Sequence, residues 1–195
     1  MDNDTGLPTL WDTMAPMVQV SRASKTTQQA NRIFASSLAG CCDPSNALDL
    51  DKKPFDLHML PPLPPHLRIY MFTMTTHPSE RQAGAYRIQI ILPKKNRHFD
   101  TTDGPFIILA GFDPDLGIFA LWDAEAHDVG KGIPHSKGVQ VKEDTLLTAL
   151  SEGVARQQRT LRDAGESETV VASRPDTLSE ALELRWQLSI ERLTS

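Results

Sequence analysis

At 195 residues, with 25 acidic against 20 basic side chains and a net charge of −5, the chain is sized for one domain or one domain plus an arm, and it is not a uniformly basic nucleic-acid coat. Hydrophobic residues at 39% support a core, yet no run reaches the roughly 20 apolar residues of a transmembrane helix. The acidic opening MDNDTGLPTLWD lacks the basic and apolar regions of a signal peptide, so the expectation is a cytoplasmic protein with no membrane partner.

Residues 1–20, with Pro8 and Pro16, are expected to form an extended arm. Ala23, Ala30, Ile33, Phe34 and Leu38 make a modest apolar stripe that predicts a helix over 21–39, stopping at Gly40. The neighbouring Cys41 and Cys42 read as incidental thiols of a reducing compartment. Residues 43–66 read as a linker ending in Pro61-Pro62-Leu63-Pro64-Pro65, which cannot be helical and favours a stiff polyproline II spacer. The expected division is an N-terminal arm with one helix and a Pro-rich linker over 1–66, followed by a single α+β domain over 67–195.

Within that domain, the continuous apolar run at 67–74 predicts a buried strand. Residues 86–92 alternate, with Tyr86, Ile88, Ile90 and Leu92 on one face and Arg87, Gln89 and Ile91 on the other, which predicts a half-exposed strand with a polar face. A basic loop over 94–104 leads to strands at 105–112, 117–123 and 137–142. The pattern then changes period. Leu146, Leu147, Leu150, Val154 and Leu161 predict a helix over 144–163, with Gly165 just beyond it. A short strand at 168–173 precedes a last helix at 177–192, where Thr177 and Glu180 are spaced as a capping box. The order predicts an α+β fold with a largely antiparallel sheet of about five to six strands flanked by helices.

The segment 111–144 concentrates groups that can do chemistry. Metal-dependent phosphodiester hydrolysis needs oxygen ligands for a hard cation such as Mg²⁺ and a Lys near the attacking water. A hairpin of strands 117–122 and 137–142 would bring Asp113 or Asp115 to Gln140 and Lys142, which lie two apart on one face. This D…QxK spacing resembles the PD-(D/E)xK nuclease core in its Mrr-like variant. The resemblance implies a Mg²⁺-dependent restriction endonuclease, with Asp113 or Asp115 and Gln140 as metal ligands, Lys142 orienting the water, and a homodimer on palindromic DNA.

A second resemblance covers more of the chain. Leu67 to Phe72, Thr76-His77-Pro78, Tyr86 to Ile90, Phe119 to Asp123, His127, Ser136 to Lys142, Gly153 and Glu168 to Val171 resemble a methylase-associated domain family of bacterial restriction-modification loci. It implies a protein acting on double-stranded DNA in self/non-self discrimination or phage defence, beside a cognate methyltransferase or nuclease subunit.

Candidate DNA contacts are Arg87 and Gln89 on the polar strand face, and Ser136 and Lys137 at the head of the matched SKGVQVK stretch. A phosphate track of Lys94, Lys95 and Arg97 with Arg156, Arg159 and Arg162 would join them. Two readings stand side by side: a Mg²⁺-dependent endonuclease, and a non-catalytic, pseudobarrel-like DNA-recognition module. A third, a protein-interaction domain, draws on the acidic pI of about 5.6 and the Pro-rich linker.

Overall fold

The computed structural model describes residues 21–76, 84–93, 97–133, 136–161 and 167–194. Over these residues the fold is α+β. A two-residue strand, Ser21–Arg22 (β1), precedes the helix Lys25–Ser37 (α1). The Ser24 hydroxyl caps this helix by accepting the Thr27 N–H at 3.2 Å. Its apolar stripe buries Ala30 and Phe34, and a 3-10 turn at Ala39–Cys41 ends it close to the expected stop.

Residues 43–66 depart from the expected polyproline spacer. They contain Lys52–Lys53 (β2), paired with β1, and Phe55–His58 (β3), paired antiparallel with His66–Thr73 (β4). The prolines between β3 and β4 form a closed turn in which the Met59 N–H donates to the Pro65 carbonyl at 3.0 Å. Proline excludes helix but tolerates turns and edge strands. The alternation of β3, with Phe55 and Leu57 inward and Asp56 and His58 outward, is enough to draw it into the core. Buried Asn31 of α1 fastens the same segment by donating to the carbonyls of Leu50 (2.8 Å) and Lys52 (3.2 Å).

The remaining strands are Thr75–Thr76 (β5), Ala85–Ile90 (β6), Phe106–Asp113 (β7), Ile118–Trp122 (β8), Lys137–Lys142 (β9), Val154–Thr160 (β10) and Ser167–Ser173 (β11). A six-stranded sheet runs β10-β11-β8-β7-β4-β3, and a three-stranded sheet runs β5-β6-β9. Every pairing is antiparallel except β4 with β7. Three further helices are Ala124–His127 (α2), Glu143–Glu152 (α3) and Leu178–Thr194 (α4).

Alternate residues of the large sheet feed two separate cores. Ile69, Met71, Ile108, Phe119 and Val171 pack with α1 and with Leu178 and Leu182 of α4. Tyr70, Leu109, Trp122 and Val170 pack on the other face with Leu146 and Ala149 of α3 and with Ile88, Ile90, Val139 and Val141 of the small sheet. The layers are therefore α1 and α4, then the large sheet, then the small sheet with α3. At the contact between sheets Gly111 has no room for a side chain: an added Cβ would lie 2.8 Å from Ile88 Cγ2 and from Met74 Cγ.

The helix expected over 144–163 is shorter. It stops at Glu152, and Gly153 (φ +95°) turns the chain directly into β10. Only a residue without a Cβ takes that backbone conformation without strain, so the helical spacing of Val154 and Leu161 is accidental. Arg156 and Arg159, expected on one helix face, consequently point to opposite faces of a strand. Thr177 is likewise no capping box. It sits in a 3-10 turn, and its hydroxyl donates to the Gly153 carbonyl at 2.7 Å.

Candidate nucleic-acid interface

The hairpin expected between β8 and β9 does not form. β8 lies between β7 and β11, while β9 pairs with β6. The inward residues of β9, Val139 and Val141, find their cross-strand partners in Ile88 and Tyr86. The chain between the two strands holds α2 instead of a tight turn.

Asp113 is buried, and its Oδ1 accepts the N–H groups of Asp115 (3.0 Å) and Leu116 (2.7 Å), closing the β7–β8 turn. Asp115 is exposed on that turn. Gln140 faces Arg87 across the small sheet, and Lys142 faces Ala85. Burial raises the pKa of the Tyr86 hydroxyl, and the carboxylates of Asp113, Glu143 and Asp115 raise it further. Those three acids therefore act at the end of β6 and β9 that carries Lys142. Among the described residues, no three His, Cys, Asp or Glu side chains converge to hold a metal ion.

What the small sheet does assemble is a polar outer face. Its register sets Thr75 against Arg87, Arg87 against Gln140, and Gln89 against Gly138. Opposed residues of an antiparallel pair share a face, with Cβ atoms about 4.5–5.5 Å apart. Thr75, Arg87, Gln89, Gln140 and Lys142 thus form one array, four of them exposed and Arg87 half-buried, while Ile88, Ile90, Val139 and Val141 are buried beneath. Of the other expected DNA contacts, Arg97 and Ser136 are exposed and Lys137 is half-buried, its ammonium donating to the His127 carbonyl at 3.2 Å. Lys94, Lys95 and Arg162, like the arm at 1–20, lie outside the described residues.

The array rests on a buried ionic network absent from the expected site. His127 Nε2 lies 2.9 Å from Glu168 Oε1, and that oxygen also accepts the Asp123 N–H at 3.0 Å. Arg185 and Arg192 reach Asp123 Oδ2 at 3.4 and 2.9 Å. Burial lowers the pKa of the Arg185 guanidinium, with Asp123 and Glu168 opposing. Arg159 joins the two systems: its Nε is 3.5 Å from Glu168 Oε2, and its Nη1 donates to the Gln140 carbonyl at 2.6 Å. The Trp122 indole N–H donates to the same carbonyl at 3.2 Å. The middle of β9 is therefore held from beneath by β8 and β10 at the position of Gln140.

Signals for this network do exist in the sequence. Glu168 shares its strand parity with Val170 and Ala172, and Arg185 falls one turn beyond Ala181 and Leu182, so both are charges at core positions.

The model of one family, methylase-associated X1, matches residues 65–182. The chain belongs to the methylase-associated X1 family. No curated protein and no solved structure matches it. As a methylase-associated X1 protein it is linked by that description to methylases, and so to restriction-modification systems. The match includes β4 to β11, the polar array, Asp123, His127 and Glu168, and it leaves out β1 to β3 at one end and Arg185 and Arg192 at the other. No described helix is long and apolar enough to cross a membrane.

Proposed function

We propose that this methylase-associated X1 protein is a DNA-recognition module of a cytoplasmic restriction-modification system, working with its cognate methyltransferase. The observation that carries the reading is the outer face of the small sheet, where Arg87, Gln89, Gln140 and Lys142 stand side by side. Arg and Gln present bidentate patterns suited to guanine and adenine edges in the major groove, and a β-ribbon fits that groove. Lys142 supplies a phosphate contact. The network beneath holds the array rigid, which is what discrimination by hydrogen-bond geometry requires.

Fluorescence anisotropy of labelled duplexes, without divalent metal, tests this. Arg87→Ala and Gln140→Ala are expected to weaken binding by about 1–3 kcal/mol and relax sequence preference, and Lys142→Ala to lower the salt slope by about 1. Absence of binding to any duplex at low salt, methylated or not, refutes the reading.

The second reading is a nuclease: Asp113, Asp115 and Glu143 act on Tyr86 at the Lys142 end of the small sheet, although Tyr86 lies on the face opposite Gln140 and Lys142. In that reading Asp113 or Asp115 would hold Mg²⁺ with Gln140 and Lys142 would position the attacking water, in a homodimer acting on palindromic DNA. Discrete Mg²⁺-dependent fragments, lost in Lys142→Ala, would decide for it.

A further inference from the structure

At the far edge of the large sheet a groove of about 550 Å³ opens over β10. Its floor is Val154, Ala155 and Arg156, at the start of the outermost strand. Its walls are α3 and α4, which pack on opposite faces of the sheet. Among the described residues, β10 has a ladder partner on one side alone, β11, and no turn or loop backbone hydrogen bond reaches Val154, Ala155 or Arg156. Unpaired strand edges are templates for an added strand.

The walls decide what could be added. Asp144 and Glu152 come from α3, Glu180 and Glu183 from α4, and the cation lining the groove is Arg156. Four carboxylates against one guanidinium repel a phosphate backbone. They also disfavour a second copy of this chain, since edge-to-edge pairing of two β10 strands would set acidic wall against acidic wall. The chain's own first twenty residues carry Asp2, Asp4 and Asp12 and no Lys or Arg, so they are equally ill-matched.

We infer that this groove accepts an extended, basic segment of a partner protein by strand addition to β10. Successive side chains of an added strand point to opposite faces, and here each face meets carboxylates. The matching segment therefore carries adjacent Lys or Arg residues instead of alternating ones. The inference stands on the sheet edge and its walls, and is independent of whether the small sheet reads DNA.

The test uses the full chain and a short synthetic peptide with a central Lys-Arg-Lys-Arg flanked by Thr and Val, followed by anisotropy. The expected result is salt-sensitive binding, weakened roughly tenfold by Glu180→Lys/Glu183→Lys and by Glu152→Lys on the opposite wall. Circular dichroism checks that each variant is folded. Two forms of the peptide, N-methylated at one or the other set of alternate residues, separate strand addition from charge attraction. The form blocked on the side facing β10 is expected to lose binding, while the other keeps it. Hydrogen exchange of the Val154 to Arg156 amides is expected to slow in the complex. Equal binding of both N-methylated forms, equal binding of a Glu/Asp counterpart, no binding at low salt, or displacement of the peptide by duplex DNA overturns the inference.

Discussion

Removing the Glu168 carboxylate should unfasten the layer beneath the polar array. Its side chain is fully buried and meets the His127 ring at 2.9 Å, the Asp123 N–H at 3.0 Å and the Arg159 guanidinium at 3.5 Å. In Glu168→Ala the Asp123 N–H loses its acceptor, which costs about 1–3 kcal/mol for a buried donor. The Arg159 guanidinium loses a buried counter-charge and the His127 ring a hydrogen-bond partner, and breaking such a buried contact costs about 3–5 kcal/mol. The two effects share atoms and do not add, so a total of about 3–5 kcal/mol is expected. Glu168→Gln keeps an oxygen for the Asp123 N–H and should cost less, about 1–3 kcal/mol. Urea unfolding followed by far-UV circular dichroism and tryptophan fluorescence measures both. Trp122 is a direct reporter, because its indole N–H is bonded to Gln140, the residue that Arg159 also holds. A double-mutant cycle with His127→Ala should give a coupling on the order of 0.5–3 kcal/mol. A loss below about 1 kcal/mol for Glu168→Ala would sit in the range of exposed ion pairs, and would refute the view that this network holds β9 in place.

Gly111→Ala should destabilise by about 1–3 kcal/mol, the usual cost of overpacking, because its Cβ would meet Ile88, Met74 and Trp122; a variant as stable as the parent in urea would contradict the close approach of the two sheets. Lys53 gives a pH dependence. Burial pushes its ammonium down to about 7, while the Phe72 ring face, 3.2 Å from Nζ, favours the charged form. Between that value and the ordinary lysine range the unfolded chain binds the extra proton, so this group makes stability rise with pH from about 7 upward, with its full penalty below. Lys53→Met should raise the Tm at pH 6 and flatten the slope above pH 7, and an unchanged profile would contradict the burial of Lys53. Gly153→Ala should destabilise, since φ is +95° and Thr177 Cγ2 would lie 2.9 Å from the new Cβ; its thermal unfolding compared with the parent's checks this.

Local patterns were enough to mark most strands. The expected strands at 67–74, 86–92, 105–112, 117–123, 137–142 and 168–173 each coincide with an observed strand to within two residues at their ends, because inward and outward positions alternate or the whole run is apolar. Alternation alone also identified Arg87 and Gln89 as one polar face. It misled where a backbone conformation overrode side-chain spacing: Gly153 ends α3 early, and the leucine-rich helix gives way to an Arg- and Gln-bearing edge strand.

Strand pairing was beyond reach of such patterns, because the apolar faces of β6, β8 and β9 are mutually compatible and only global packing chooses among partners. That choice separated Gln140 and Lys142 from the β8 hairpin, set them beside Arg87, and turned residues 43–66 from a spacer into an edge of the sheet. The ionic network is tertiary for a simpler reason. Asp123, His127, Arg159, Glu168, Arg185 and Arg192 come from distant parts of the chain, and the buried Asp123, Glu168 and Arg185 are each an unfavourable burial alone. Only their meeting, after two sheets and a helix have packed, supplies every charge with a partner.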